Sequence, residues 1–394
     1  MTKYLVLIGD GMSDLPLKEL GGKTPLEAAK TPNLDWLAQN GAGGWTRNIP
    51  SGLEPGSDVA AMSIFGYDPK KYYSGRGPLE AASLNIKLNA GEVAFRCNLV
   101  SVENGRMKDF TAGHISTAQA KKIFELLNKK IGTSSVRFYP GLSYRNLLIM
   151  KDDRGGSLAK LKTVPPHDIT GRPINDYLPK GKAAECLISL MNESEVILHG
   201  LKTKATMIWP WGQGKSPRMS SFRKKFGKKA AVITAVHLLK GLGKILGMEI
   251  INVPGATGYL DTNYKGKADY ALKALTTNDV VFIHVEAPDE AGHEGNVKHK
   301  IKAIEDFDRL VVGTILLKIK NQKLKIKIMV LPDHPTPIRL MTHTADPVPF
   351  LIYPSRVASQ GSRIAGYNER EMKKSKLKIA GGHTLLGSLF GGKF

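Results

Sequence analysis

Five side chains of this sequence have the types and spacing of ligands for divalent metal ions. Asp289 and His293 stand four residues apart, Asp10 lies near the amino terminus, and Asp333 directly precedes His334. Carboxylate oxygens and imidazole nitrogens bind Zn²⁺, Mn²⁺ and related ions. Each aspartate alone could equally cap a helix or a turn. Together they favour a metal site.

Each group follows an apolar run that is typical of a buried parallel strand. The runs are Lys3–Ile8, Val280–Val285 and Ile326–Leu331, and they show the continuous apolar character of strands covered on both faces. In open α/β sheets the loops at the carboxyl ends of the strands form the ligand crevice. We therefore expect the aspartates and histidines to converge there, although the chain separates them widely.

Ser57 is a candidate nucleophile. It follows Pro55-Gly56 at the start of a helix-favouring run that extends to Tyr67. A serine at this position can be a plain helix cap. A hydroxyl at a helix amino terminus is also well placed for phosphoryl transfer, because the free N–H groups and the helix dipole favour an attached phosphate. Taken alone, this motif leaves both interpretations open.

The order of the patterns predicts an α/β fold with a mostly parallel sheet flanked by helices and a smaller inserted α+β domain. Strands alternate with helices over residues 1–83 and 196–394, which we expect to form one discontinuous core. Shorter strands and helices over residues 84–195 predict the insert. Long core strands are expected to resume at Ala205–Trp209, after a hinge at Leu198–Thr203.

The composition and charge of the chain narrow the classes of protein to which it can belong. The 394 residues carry a formal charge of +22, from 57 Lys and Arg against 35 Asp and Glu. Such a charge can attract nucleic acid or an acidic small substrate, but the lysines are scattered in doublets, which favours a lysine-rich surface. Two cysteines, Cys97 and Cys186, exclude a disulfide framework and a Cys-rich zinc site. We expect a cytoplasmic protein, because the sequence shows no leader and no apolar run of ~20 residues.

The ordered motifs resemble a known family. Asp10-Gly-Met, Pro55-Gly-Ser57-Asp58, Asp289-x-x-x-His293, Asp333-His334 and His343-Thr344 are similar to the alkaline phosphatase superfamily of two-metal phosphoryl-transfer enzymes. The longer strings PGSDVAAMSIFGYDP, GRGPLEAA, VAFRCNLV, APDEAGHEG, LPDHPTP and HTADPVPF resemble the cofactor-independent phosphoglycerate mutases of the archaeal type. This resemblance covers essentially the whole chain and implies an alkaline-phosphatase-like core with a substrate-binding cap.

The resemblance also implies a set of site residues. One metal ion would be held by Asp289, His293 and His343, and a second by Asp10, Ser57, Asp333 and His334. Ser57 would attack the phosphate of 3-phosphoglycerate and become phosphoserine. Mn²⁺, Mg²⁺, Zn²⁺ and Co²⁺ all suit these ligands. The name of the family implies that 2,3-bisphosphoglycerate is not needed.

Candidates for holding the substrate lie mainly in the predicted cap. They are Arg76, Arg96, His114 and Arg145, and each could instead be an ordinary surface or salt-bridge residue. The longer bacterial branch of these mutases has a different cap sequence. Its arginines therefore cannot be carried over one by one.

The expected function is interconversion of 3-phosphoglycerate and 2-phosphoglycerate in glycolysis and gluconeogenesis. A metal-dependent phosphatase or another phosphoryl-transfer enzyme of the same superfamily is the nearest alternative, and a polyanion-binding protein with a relict metal site is a remote one. We expect a small phosphoglycerate substrate and no nucleic-acid or membrane partner. The sequence leaves the oligomeric state open.

Overall fold

The fold was analysed in a computed structural model that describes residues 2–153, 155–322, 325–355 and 364–394. The chain divides into two compact units. The larger unit comprises Met1–Tyr73 and Met219–Phe394, and the smaller comprises Ser74–Arg218. The larger unit contains all of the predicted metal ligands.

The secondary structure elements are as follows. The strands are β1 (Lys3–Gly9), β2 (Ala42–Thr46), β3 (Glu92–Glu103), β4 (Arg106–Asp109), β5 (Val136–Leu142), β6 (Arg145–Lys151), β7 (Met207–Gly214), β8 (Ala230–Ile233), β9 (Glu249–Ile251), β10 (Val280–Val285), β11 (Ile326–Leu331), β12 (Val348–Tyr353) and β13 (Lys378–Ile379). The α-helices are α1 (Pro25–Ala28), α2 (Pro32–Gln39), α3 (Ser57–Ile64), α4 (Pro69–Tyr72), α5 (Gly77–Ser83), α6 (Thr117–Ile131), α7 (Ala184–His199), α8 (Phe222–Phe226), α9 (His237–Ile245), α10 (Tyr264–Ala274), α11 (Ala287–His293), α12 (Val297–Asp306), α13 (Gly313–Gln322), α14 (Glu369–Met372) and α15 (Leu385–Phe390). Short 3₁₀ turns lie at Lys18–Leu20, Leu158–Lys160, Pro166–Ile169, Ile174–Tyr177 and Gly382–Thr384.

An eight-stranded sheet forms the centre of the larger unit. Its strand order is β13-β2-β12-β11-β1-β10-β8-β9. All neighbouring pairs are parallel except the two that β12 makes with β11 and β2. The predicted α/β fold with a mostly parallel sheet is confirmed.

The middle strands are mostly apolar because helices cover both faces of the sheet. In β1 every residue from Tyr4 to Gly9 is buried, and all six residues of β10 are buried. Leu5 and Leu7 of β1 share a core cluster with Ala268 from α10 and Ile304 from α12. Burial on both faces removes the alternation of polar and apolar residues that marks a half-exposed strand.

The helical spacing of apolar residues over Lys298–Lys320 predicts one long helix, but this helix is interrupted. Helix α12 ends at Asp306 and a π-helical turn, Phe307–Val312, joins it to α13. Asp308 in this turn accepts hydrogen bonds from the backbone N–H groups of Asn33 and Leu34 at the start of α2. The turn thereby fixes α2 beside the sheet. A periodic apolar pattern does not reveal such a one-turn change in helix type.

The smaller unit contains an antiparallel sheet with helices against it, which is an α+β arrangement. Strands run in the order β4-β3-β6-β5, and β7 also pairs with β3. Helix α6 packs on β5 and helix α7 packs on β7. Across both units, none of the described helices is long and apolar enough to cross a membrane.

The observed unit boundaries differ from the proposed limits of the insert, residues 84 and 195, which both lie inside the smaller unit. At the start of the smaller unit, helix α5 packs so closely on β3 that a Cβ on Gly77 would lie 2.2 Å from the carbonyl oxygen of Ala94. Near the end of the smaller unit, the strand expected at Ala205–Trp209 is not a strand of the large core. It contributes to β7, which pairs with β3 through registers such as Asn98 with Trp209.

Candidate metal centre

The predicted ligands meet at one edge of the large sheet. Strands β10, β1 and β11 are parallel neighbours, so their carboxyl ends lie together. Asp10 follows β1, Asp333 follows β11, and Asp289 lies in α11 directly after β10. All three carboxylates are buried, with at most 7% of each residue exposed.

Asp289, His293 and His343 form the first cluster. The Nε2 atoms of His293 and His343 lie 3.3 Å and 3.4 Å from the two carboxylate oxygens of Asp289 and 2.9 Å from each other. Asp289 and His293 are four residues apart in one helix and therefore share a face. The Nδ1 atom of His293 donates to the carbonyl of Met341 at 3.0 Å. This hydrogen bond leaves the Nε2 lone pair for a ligand.

Asp10, Asp333, His334 and Ser57 form the second cluster. The Nε2 atom of His334 lies 3.5 Å from Oδ1 of Asp10 and 3.3 Å from Oδ2 of Asp333. The other oxygen of Asp333 accepts from the backbone N–H groups of Gly11 and His334, at 3.1 Å and 2.8 Å. These two bonds fix the carboxylate so that Oδ2 faces His334.

Ser57 is the first residue of α3 and does not cap that helix. Gly56 occupies the capping position, and no side chain caps the helix. The Oγ atom of Ser57 instead lies 3.1 Å from Nε2 of His334. The hydroxyl therefore faces the second cluster from a helix amino terminus, where free backbone N–H groups favour an anion.

Burial and neighbouring charges shift the pKa values of ionisable side chains in both clusters, as in a site that binds cations. Burial, and then repulsion from Asp333 and Asp289, raises the pKa of Asp10 well above its ordinary value. Burial alone would also raise the pKa of Asp289, but hydrogen bonds to His293 and His343 hold it well below its ordinary value. Its hydrogen bond to Asp289 raises the pKa of His293 to about 9.

Two buried carboxylate oxygens of the second cluster lack hydrogen-bond partners within the part of the chain that the structure describes. Oδ1 of Asp10 and Oδ2 of Asp333 are without partners among the described residues. Unpaired buried carboxylates are costly unless a cation is bound. Potential ligand atoms of Asp289, His293 and His343 lie within 4.8 Å of one another, as do those of Asp10, Asp289 and His334. The residues therefore fit metal ions.

Gly11, next to Asp10, permits this close arrangement. A Cβ at this position would lie 2.5 Å from a carboxylate oxygen of Asp289 and 2.6 Å from the hydroxyl of Thr336. Its φ angle is +59°, in the left-handed region that other residues rarely adopt. A side chain here would push the two clusters apart.

Three of the four predicted substrate-binding residues lie close together in the smaller unit. The guanidinium of Arg96 lies 4.4 Å from the centre of the Trp211 ring, and that of Arg76 lies 5.8 Å from it. Arg145 lies 4.8 Å from the Tyr144 ring. We call Arg76, Arg96 and Arg145 the arginine cluster. Planar guanidinium groups of this kind suit carboxylates and phosphates.

His167 lies beside the arginine cluster and was missed in the sequence. Its ring contacts those of Phe110 and Trp211, with centroids 5.9 Å and 5.5 Å away. Burial lowers the pKa of His167, and the arginine cluster lowers it further against the opposing effect of Asp168. The signal in the sequence is weak, since His167 merely follows two prolines.

His114 lies on a loop near the arginine cluster. The residue is exposed, with a φ angle of +53°, and its backbone N–H donates to the hydroxyl of Thr111 at 3.0 Å. Phe110 of the same loop contacts the rings of Tyr144 and His167. The loop is thereby tied to the surroundings of the cluster.

Comparison with known sequences finds similarity to one family of proteins. Residues 38–203 match the sequence profile of the family described as 2,3-bisphosphoglycerate-independent phosphoglycerate mutase. A protein of that name from Methanosarcina acetivorans is 50% identical over an alignment of 397 positions, and the alignment covers 98% of this chain and 99% of that protein. The likeness thus extends over both units.

Solved structures show the same likeness. A protein structure from Pyrococcus horikoshii has a TM-score of 0.82 and 31% identity, and the match covers 98% of this chain and 96% of that one. The cofactor-independent phosphoglycerate mutase from Thermoplasma acidophilum has a TM-score of 0.68 and 26% identity, with 99% of each chain covered.

Proposed function

This chain belongs to the 2,3-bisphosphoglycerate-independent phosphoglycerate mutases, and from this premise we propose that it works through a phosphoserine at Ser57 and two divalent metal ions. The resemblance recognised in the sequence is confirmed by the full-length relatives. The enzyme is an isomerase that interconverts 3-phosphoglycerate and 2-phosphoglycerate, a step of glycolysis. It does not depend on 2,3-bisphosphoglycerate.

One observation carries the proposed mechanism. The Oγ atom of Ser57 lies at a helix amino terminus and 3.1 Å from Nε2 of His334, within a cluster of buried carboxylates and imidazoles. A nucleophile needs an activating group within reach and an environment that accepts the phosphoryl charge. Ser57 has both.

We assign one ion to Asp289, His293 and His343 and the second to Asp10, Ser57, Asp333 and His334. Held by these residues, two ions would lower the pKa of the serine hydroxyl and would neutralise charge on the phosphoryl oxygens. Oxygen and nitrogen ligands without thiolates suit Mn²⁺, Mg²⁺, Zn²⁺ or Co²⁺.

In the first half-reaction, Ser57 Oγ forms a bond to phosphorus while the bond from phosphorus to the 3-oxygen of the substrate breaks. The proton lost by the serine is balanced by the proton gained by the departing glycerate oxygen. The backbone N–H groups at the start of α3 stabilise the phosphoserine. In the second half-reaction the 2-oxygen of glycerate attacks phosphorus, and the Ser57 hydroxyl is restored.

Glycerate must be retained and reoriented between the two steps, and we assign this role to the smaller unit, residues 74–218. Its arginine cluster offers planar donor groups for the carboxylate of glycerate. His167 lies among these arginines, and its lowered pKa supports a neutral ring that can donate a hydrogen bond without adding charge.

Replacing His114 with alanine is expected to lower mutase turnover about 10- to 100-fold while metal content stays at the wild-type level, because this side chain is assigned to glycerate and not to an ion. Steady-state kinetics and elemental analysis measure the two quantities. His199→Ala, at another exposed histidine of the same unit, is the matched control. Metal content that falls in step with turnover would mean that His114 is a ligand or a structural residue.

The fate of the phosphoryl group tests the proposed function against a phosphatase. The protein is supplied with 3-phosphoglycerate and Mn²⁺ in heavy-oxygen water, without 2,3-bisphosphoglycerate, and the products are analysed by mass spectrometry. We expect 2-phosphoglycerate with unlabelled phosphate oxygens, because glycerate and not water accepts the phosphoryl group. Stoichiometric release of labelled inorganic phosphate would identify the protein as a phosphatase instead.

A further inference from the structure

A chain of buried polar side chains leads from the second metal cluster into the core of the larger unit. Nε2 of His284 lies 3.2 Å from Oδ2 of Asp10. Nδ1 of the same ring lies 3.1 Å from Oε1 of Glu286, and Oε2 of Glu286 lies 2.6 Å from Nζ of Lys267. None of His284, Glu286 and Lys267 belongs to the assigned ligands.

These three side chains are almost completely enclosed. Those of His284, Glu286 and Lys267 are 2%, 3% and 0% exposed. Lys267 also donates to the carbonyl of His284 at 2.8 Å, and Glu286 accepts from Thr234 and from the backbone N–H of Ala235. A buried ion pair adds little to the stability of a fold compared with well-packed apolar residues of the same volume. The contacts among His284, Glu286 and Lys267 lead to Asp10, which indicates a role in the metal site.

The two oxygens of Asp10 face different groups. Oδ2 faces His284, whereas Oδ1 has no hydrogen-bond partner among the described residues and lies 3.5 Å from Nε2 of His334. A carboxylate that binds metal through one oxygen is oriented by the group that holds the other. His284 is placed to do this, and Glu286 and Lys267 are placed to fix the His284 ring.

We propose that His284, held by Glu286 and Lys267, is a positioning residue that orients Asp10 towards the second metal ion. This inference rests on the two-metal mechanism proposed above. It explains why β10, an otherwise apolar strand, carries a histidine in its buried interior. Glu286 follows β10 as the capping residue of α11, which brings its carboxylate to Nδ1 of His284.

Metal affinity measures the proposed role directly. Metal-free wild-type protein, His284→Leu and His284→Gln are titrated with Mn²⁺ by calorimetry. In His284→Leu we expect one of the two sites to weaken about 10- to 100-fold, as for other groups that orient a ligand. The site of His293 and His343 should stay within about twofold. His284→Gln should recover much of the loss, because its amide can donate to Asp10.

His299→Leu is the matched control, since His299 is half-exposed, bonds to Glu294 and is not an assigned metal ligand. Both of its site affinities should equal those of the wild type. Wild-type affinities at both sites in His284→Leu would overturn the inference, provided that circular dichroism shows a native fold. A wild-type protein that binds no metal would overturn the proposed two-metal mechanism itself, which is a distinguishable result.

A measurement on the unaltered protein covers the case in which these variants do not fold. Nitrogen NMR of the imidazoles in Zn²⁺-loaded wild type distinguishes a metal-bound nitrogen from one that carries a proton. We expect metal-bound shifts for His293, His334 and His343 and a retained proton on Nε2 of His284. A metal-bound Nε2 in His284 would make it a ligand and overturn the positioning role.

Discussion

Replacing Ser57 with alanine is expected to reduce mutase turnover roughly 10³- to 10⁶-fold, as the loss of a nucleophile does in other enzymes. The methyl group fits where the hydroxyl stood, and the Ser57 side chain caps no helix, so the fold should be retained. The other assigned ligands remain to bind metal. Turnover is measured from the formation of 2-phosphoglycerate, and the fold is checked by circular dichroism.

Acid quenching during turnover adds a direct test of the intermediate. Wild-type protein should yield a phosphorylated peptide with the phosphate on Ser57, and the alanine variant should yield none. Ser51→Ala is the matched control, because Ser51 is exposed on the preceding loop and has no assigned role. Full turnover in Ser57→Ala, or a phosphate on another residue, would refute the phosphoserine mechanism.

Removal of metal is expected to abolish turnover and to lower stability at neutral pH. Without cations, burial and repulsion from Asp333 and Asp289 oppose ionisation of Asp10, which raises its pKa in the folded chain. The metal-free protein therefore loses stability as the pH rises from the ordinary aspartate pKa towards that raised value. An ion at a hundredfold its Kd would restore about 2.7 kcal/mol.

The measurement combines chelation with elemental analysis, turnover assays and thermal unfolding at pH 5 and pH 8. Adding Mn²⁺ back should restore both turnover and stability. The gain in unfolding temperature should be larger at pH 8, where protons compete less for the carboxylates and imidazoles. Unchanged turnover after a confirmed loss of metal would show that the assigned residues are not ligands of a catalytic ion.

Much of the fold follows from local patterns in the sequence. The runs Lys3–Ile8 and Ile326–Leu331 predict buried parallel strands, and the structure places β1 and β11 side by side with both nearly fully buried. A continuous apolar run of this kind indicates a strand that other elements cover on both faces. The α/β class was therefore readable without any tertiary information.

The sheet to which a strand belongs was not readable in the same way. The apolar run at Ala205–Trp209 predicts a strand of the large core, whereas β7 pairs with β3 in the smaller unit. Strand pairing is decided by backbone hydrogen bonds between segments distant in the chain. An apolar run indicates that a strand is buried, but it does not indicate which strand is its hydrogen-bonded neighbour.

The residue types that can form the site follow from the sequence, because Asp289 and His293 share a helix face and Asp10 and Asp333 end buried strands. How these groups meet depends on the folded chain. The order β10-β1-β11 sets the distances among their side chains, directs the Ser57 hydroxyl to His334, and places His284 against Asp10. Spacing along a chain fixes neighbours within one helix or strand, whereas contacts between elements depend on sheet order and register, which long-range packing selects.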